Sequence, residues 1–266
     1  MRFSNLHTHT TFSDGKNTVA ENVEAAIEKN MLSIGFSDHS FTAIDPSYCM
    51  HTEHYSEYRN AVLAAKEKYK GIIPIFLGME MDLFSDVPDG EFDYFIASVH
   101  YIIKGDACYA IDHTVGHQEK CVRDVFSGDK LEMAKHYFEL MQENVMRLRP
   151  QIVGHFDVLN KFSYMPEEDE RFVDIAEAAM RECFKWCPRF EVNTGAIARG
   201  YRKLPYPNMH LLKLLSELGG EVVLNSDSHK AENLDCFFSE SVDIIRNAGF
   251  REIAYLDVGG FRKMSI

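Results

Sequence analysis

The chain has 266 residues, 45% hydrophobic and 26% charged, with a formal charge of −13. That length suits one large α/β barrel or two small domains, and the acidic balance argues against a nucleic-acid or anionic-membrane partner, which would call for a basic face. No stretch approaches a membrane span, and no basic-then-apolar leader opens the chain, so the expected compartment is cytoplasmic.

In chain order, Phe3–Leu6 reads as a short strand ending at His7 and His9. Side chains at i and i+2 of an extended chain point the same way, so both imidazoles can reach one point, as a divalent cation requires. Thr18 is an expected N-cap, with Glu21 completing a capping box before Val23, Ala26 and Ile27. Leu32–Phe36 reads as a second strand ending at Asp38-His39. A loop through Asp45-Pro46 leads to a helix from about Thr52 to Tyr69. Ile73–Leu77 is a buried strand leading to Glu80, and Val87-Pro88-Asp89-Gly90 is a turn signal. Tyr94–Val99 is a fourth strand ending at His100.

Residues 101–128 mix Gly, Asp, His and aromatics without a sustained period, so they are expected to be an irregular functional segment. Asp129 caps a periodic helix to about Leu148, and Ile152-Val153 is a short strand ending at Gly154-His155. A helix over Glu167–Trp186 precedes a strand, Phe190–Val192, that ends at Asn193-Thr194-Gly195. Pro207–Leu218 is helical, stopped by Gly219-Gly220. Val222–Leu224 leads to Ser226-Asp227-Ser228-His229, and a helix over Ser239–Asn247 precedes a last strand, Ile253–Leu256. Alternating strands and helices imply parallel βα units. Neither Gly-x-Gly-x-x-Gly nor Gly-x-x-x-x-Gly-Lys follows a strand, which leaves nucleotide-binding folds of those types unsupported. Without a repeat or a linker, residues 1–266 read as a single domain. The six cysteines contain no Cys-x-x-Cys, and Cys183 and Cys187 read as buried free thiols on a helix.

Residue types that ligate metals thus follow nearly every strand: His7 and His9, Asp38-His39, Glu80, His100, His155, Asn193, Asp227 and His229. In a parallel barrel those strand tips converge on one face. His51, His54, His117, His136 and His210 fall elsewhere and are expected to be surface or capping residues, with His113 open.

This order of motifs resembles the PHP (polymerase and histidinol phosphatase) superfamily over essentially the whole chain. Glu191-Val192-Asn193-Thr194-Gly195-Ala196, Arg199-Gly200-Tyr201-Arg202 and Pro205-Tyr206-Pro207 resemble its histidinol-phosphatase branch. The resemblance implies an α/β fold, a distorted (β/α)7 barrel with three divalent metal ions at the C-terminal ends of the strands. His7, His9, Glu80 and Asp227 would hold one ion. Glu80 would bridge to a second, completed by His100 and His155. His39 and His229, with Asp14, would hold the third; many members carry a His near Asp14, whose other reading is a turn residue before Gly15. Asp38, Ser226 and Asn193 would support ligands from behind, or Asp38 would be a structural cap. The ligand types accept Zn, Fe or Mn.

The implied activity is that of a metal-dependent phosphomonoesterase, a histidinol-phosphate phosphatase, in which hydroxide bridging two ions attacks phosphorus. The alternative is another small phosphate ester or a nucleotide. Glu80, Asp227 and His229 would be catalytic, and the leaving oxygen would take a proton from metal-bound water, Asp227 or His229. Arg199 is the candidate for the substrate phosphate. Relatives often carry a second Arg after Gly-His-Phe-Asp; here Lys161 takes that place or the contact is absent. Asn193 is a further candidate near the substrate, and Asp112 or Glu119 could meet its cationic amine. The expected partner is a small phosphorylated molecule, with oligomeric state left open.

Overall fold

Local signals set most of the elements. In the computed structural model, which describes residues 1–266, the chain runs β1 (Ser4–Asn5), α1 (Val19–Glu28), β2 (Ser33–Phe36), α2 (Tyr55–Lys68), β3 (Ile75–Asp82) and β4 (Tyr94–Ser98). It continues with β5 (Tyr101–Lys104), β6 (Ala107–Ala110), α3 (Val115–Val125), α4 (Lys130–Leu148), β7 (Ile152–Val153), α5 (Glu170–Phe184) and β8 (Arg189–Asn193). The remainder is α6 (Gly195–Ala198), α7 (Met209–Glu217), β9 (Glu221–Asn225), α8 (Phe238–Asn247), β10 (Glu252–Asp257) and β11 (Gly260–Ser265). Thr18 and Glu21 form the capping box of α1, with the Thr18 N–H donating to Glu21 at 2.7 Å. Asp129 accepts from the first N–H groups of α4, whose buried stripe includes Met133, Tyr137, Phe138, Met141 and Val145. Asn208 caps α7 and so moves its start from the expected Pro207 to Met209.

The strands pair in the order β1-β2-β3-β4-β7-β8-β9-β10-β11, all parallel except the last pair. The tips of β1 and β9 then close on each other: the His9 N–H donates to the Ser228 carbonyl at 2.8 Å, and the Ser228 N–H to the His7 carbonyl at 3.1 Å. Seven parallel strands therefore ring the C-terminal end. At the base, β10 lies beside β9 through Ala254 and Val223, and Ala254 and Leu256 join Leu6, Phe76, Tyr94, Ile96, Ile152 and Val223 in the barrel interior. This is the distorted (β/α)7 barrel, with the main core between sheet and helices.

Tyr94 fills the barrel interior and donates to the carbonyls of Leu6 and Phe36. Its ring is admitted by two glycines. A Cβ at Gly78 would lie 2.3 Å from Tyr94 Cζ, and one at Gly35 2.4 Å from Tyr94 Oη. Gly78→Ala should therefore destabilise the fold by about 1–3 kcal/mol through overpacking. Thermal unfolding checks this, and an unchanged midpoint would mean that the ring yields without cost.

Three expectations change. β3 runs on past Glu80 to Asp82, so Glu80 is held inside a strand and not at its end. Residues 101–128 are mostly regular: β5 and β6 form a hairpin turned at Gly105, where φ is +60°, and Thr114 caps α3. Two strands of four residues and an eleven-residue helix are too short, and too exposed on one side, to impose a period on the whole segment. β11, antiparallel to β10, was not expected, because its mostly exposed Phe-Arg-Lys-Met run lacks a clear apolar alternation. No helix is long and apolar enough to cross a membrane. All six cysteines are free, with Cys183 and Cys187 buried.

Candidate metal centre

The closed ring of strand tips brings all nine expected ligand residues together. The Glu80 carboxylate lies among five imidazoles. Its Oε2 is 3.2 Å from His7 Nε2, 3.6 Å from His9 Nε2 and 2.9 Å from His39 Nδ1. Its Oε1 is 2.9 Å from His155 Nε2 and 3.4 Å from His100 Nε2. Asp227 Oδ1 lies 3.1 Å from His9 Nε2 and 3.6 Å from His7 Nε2. Asp14 Oδ2 is 3.1 Å from His229 Nε2, and its Oδ1 is 3.8 Å from His39 Nε2. Ligand atoms gather within 4.8 Å in three groups: His9, Asp14, His39 and His229; His7, His9 and Glu80; His39, Glu80 and His100. His9 and His39 each belong to two groups, because each turns one ring nitrogen toward Glu80 and the other toward Asp14.

The donors fit cations. His7 Nε2, His9 Nδ1, Glu80 Oε2 and Asp14 Oδ1 are all buried without a hydrogen-bond partner. His7 Nδ1 is 2.9 Å from Glu191 Oε2, and a carboxylate only accepts, so Nδ1 carries a proton and Nε2, 3.2 Å from Glu80 Oε2, is the nitrogen left for a cation. Carboxylates and imidazoles packed this closely in a buried cluster call for positive charge. Bound cations would supply it, and without them protons do, since burial opposes but the neighbouring carboxylates push His7, His100 and His229 above the usual imidazole range. Imidazole with carboxylate suits Zn, Fe or Mn. Burial opposes ionisation of Glu80, yet His7, His39 and His100 hold its carboxyl well below the usual range. Burial, reinforced by His229 and His39, pushes His9 down to about 3, the neutral form that a ligand needs.

The supporting residues take mostly structural places. Of its two expected roles Asp38 takes the structural one: it accepts from the N–H and hydroxyl groups of Thr10 and Ser13 and so holds the turn that carries Asp14. Asn193 is fully buried off the substrate pocket, clamped between Glu191 Oε1 at 2.8 Å and the Gly195 N–H at 2.8 Å; a substrate contact is therefore corrected to a structural one. Ser226 links Asn5 to the Leu234 carbonyl. Sequence reasoning missed Asp82, whose Oδ2 accepts the His100 N–H at 2.9 Å and lies 3.2 Å from its Nδ1. The signal was present: Asp82 lies two residues after Glu80 on the same strand face.

A pocket of about 580 Å³ opens over the cluster. Asp14, His39, His100, His155, Asp227 and His229 form its floor. Arg199 stands at the floor's edge, its Nη2 donating to Asp227 Oδ2 at 2.8 Å and its Nη1 to the Asp227 carbonyl at 3.2 Å. Arg202 lies outside the pocket, bound to the Asn160 carbonyl and Glu167. Lys161 and Asp112 both line the pocket but are paired, with Lys161 Nζ donating to the Asp112 carbonyl and 3.4 Å from its Oδ2. Glu119 is exposed and outside it. His113 and His117 line the wall with rings 5.1 Å apart; His117, expected as a surface or capping residue, is half-buried and faces the pocket from the first turn of α3. Asp45, Tyr48 and Tyr101 complete the wall, with Tyr101 donating to Asp45 and Tyr48 edge-on to His39 at 4.8 Å. A larger groove of about 810 Å³ between α1 and α2 contains none of the ligand set except through the chain neighbours of Asp14.

Over residues 5–194 the sequence matches the PHP domain. The chain belongs to the PHP-domain family. A PHP relative from Schizosaccharomyces pombe named "Probable histidinol-phosphatase" is 24% identical over 89% of this chain and 83% of its own length. The Bacillus subtilis "Histidinol-phosphatase" is 24% identical over 85% of this chain and 92% of its own. The crystal structure of the Lactococcus lactis histidinol phosphate phosphatase, complexed with zinc, L-histidinol and phosphate, superposes with a TM-score of 0.73 at 23% identity, covering 98% of this PHP chain and 99% of that one.

Proposed function

We propose that this PHP domain is a metal-dependent phosphomonoesterase that hydrolyses L-histidinol phosphate to L-histidinol and phosphate. The observation that carries the reading is the set of three convergent ligand groups beneath a pocket whose floor is edged by Arg199. The curated relatives named histidinol-phosphatase, and the Lactococcus lactis complex with zinc, L-histidinol and phosphate, support it. Residues 1–266 are read as one domain, a reading that the closure of β1 on β9 supports.

His7, His9, Glu80 and Asp227 would hold one ion, Glu80, His100 and His155 a second, and Asp14, His39 and His229 a third, with zinc the first candidate. When bound, the ions supply Lewis acidity toward phosphoryl oxygens and acidify water enough for attack at neutral pH. The chain's own residues bind and orient the ester. Arg199 turns its guanidinium toward the pocket floor, where a non-bridging phosphate oxygen can take its hydrogen bonds in place of Asp227. Asp227 and His229 lie beside Arg199 on the pocket floor, within its hydrogen-bond reach. Asp45 puts negative charge on the wall that a cationic substrate tail would face, while Asp112 is paired with Lys161 on the same pocket lining. Tyr48, Tyr101 and Tyr206 add aromatic surface to the pocket wall.

The test is phosphate release by metal-loaded protein across histidinol phosphate, glycerol phosphate, AMP and p-nitrophenyl phosphate. Histidinol phosphate should lead by about a hundredfold or more in kcat/KM, since a site with placed polar groups discriminates against esters that leave them unpaired. A preference for AMP would move the activity to nucleotides, and no release from any ester would overturn the reading.

A further inference from the structure

We propose that Glu191 is the positioning residue that sets two metal ligands at once, His7 through its ring and His155 through its backbone. This rests on the metal centre proposed above. Glu191 lies on β8, behind the cluster, and its side chain is fully buried. It has no lysine or arginine partner. Four N–H donors surround it instead. Oε2 accepts from His7 Nδ1 at 2.9 Å and from Asn225 Nδ2 at 2.9 Å; Oε1 accepts from the His155 N–H at 2.6 Å and from Asn193 Nδ2 at 2.8 Å. Four donors fill the acceptor sites of an ionised carboxylate. Glu191 therefore has no lone pair left for a cation, and it belongs to none of the three ligand groups.

The donors are themselves held in one orientation. The Gly195 N–H donates to Asn193 Oδ1 at 2.8 Å, and the Leu6 N–H donates to Asn225 Oδ1 at 2.9 Å. Both amides must then present their NH2 groups to Glu191. The carboxylate in turn holds the proton of His7 on Nδ1 and turns Nε2 toward Glu80, 3.2 Å away, and Asp227, 3.6 Å away. Through the His155 N–H it also anchors the turn after β7, from which the His155 ring reaches Glu80 Oε1 at 2.9 Å. One group thus ties the tip of β1 to the tip of β7, and the two rings lie on opposite oxygens of Glu80.

The test uses Glu191→Gln, which keeps the shape but replaces one oxygen by a donor. That NH2 must face either His7 and Asn225 or His155 and Asn193, donor to donor. Zinc affinity, measured by chelator competition, should fall about ten- to a hundredfold, as for other groups that orient a ligand from behind. The visible absorption of the cobalt-loaded protein should change with it. A residue that merely packed the barrel would lower thermal stability but leave both readouts unmoved. Unchanged zinc affinity together with an unchanged cobalt spectrum in Glu191→Gln would overturn the assignment. Wild-type protein that binds neither ion would instead overturn the metal centre itself. Should the variant not fold, nitrogen NMR of histidine-labelled, zinc-loaded wild type decides: His7 protonated at Nδ1 and ligated at Nε2 supports the proposal, and the reverse tautomer overturns it.

Discussion

Replacing Glu80 with alanine is expected to lower turnover at least about a thousandfold, because the carboxylate that would hold two ions together disappears and Lewis-acid help of several kcal/mol goes with it. The structure makes the prediction sharp. Glu80 is the only side chain within 3.6 Å of all five imidazoles of His7, His9, His39, His100 and His155. Its oxygens divide these rings, with His7, His9 and His39 on one and His100 and His155 on the other. The backbone of β3 is untouched by the change, since the Glu80 N–H still donates to the Asp38 carbonyl and its carbonyl still accepts from the Ser40 N–H. Far-UV circular dichroism should therefore stay native while metal analysis finds ions lost. Near-normal turnover in this variant would rule out Glu80 as the bridge.

Arg199→Ala should lower kcat/KM roughly ten- to a hundredfold or more, the loss of a charge-assisted contact of about 1.5–3 kcal/mol. Arg199 also grips both the carboxylate and the carbonyl of Asp227, a residue with a positive φ of 49°. It could therefore act on the ester directly or by holding a strained ligand, and metal content separates the two. Direct phosphate binding predicts full metal content at saturation, because a guanidinium cannot ligate a cation. Arg199→Lys should recover only part of the loss, since a point charge does not reproduce the fork. Arg202→Ala is the control. Arg202 is tied to Asn160 and Glu167 away from the pocket, so its loss should lower stability and leave kcat/KM nearly unchanged. Equal, small effects of the two alanine variants on kcat/KM would sink the assignment of Arg199.

Much of the candidate ligand set was legible in the sequence because it needed only two facts: residue identity and the place where each strand ends. His7, His9, His39, His100, His155, Asp227 and His229 follow apolar runs, and parallel strands carry their ends to one face of a barrel. The capping box of α1 and the N-cap of α4 were legible for the same reason, since the chemistry lies within three residues. Tertiary structure decided everything that depends on contacts across the barrel. It placed Asn193 on Glu191 rather than in the pocket, set Asp38 on the Thr10–Ser13 turn, paired Lys161 with Asp112, and brought His117 to the wall. It also let β10 fill the base between β9 and β1 while the tips of β1 and β9 close above it. Hydrogen bonds such as that between His7 and Glu191 join residues 184 positions apart. A local pattern supplies the types of such partners, but only the closed barrel decides which nitrogen faces which oxygen, because ring orientation follows from the partner on its far side.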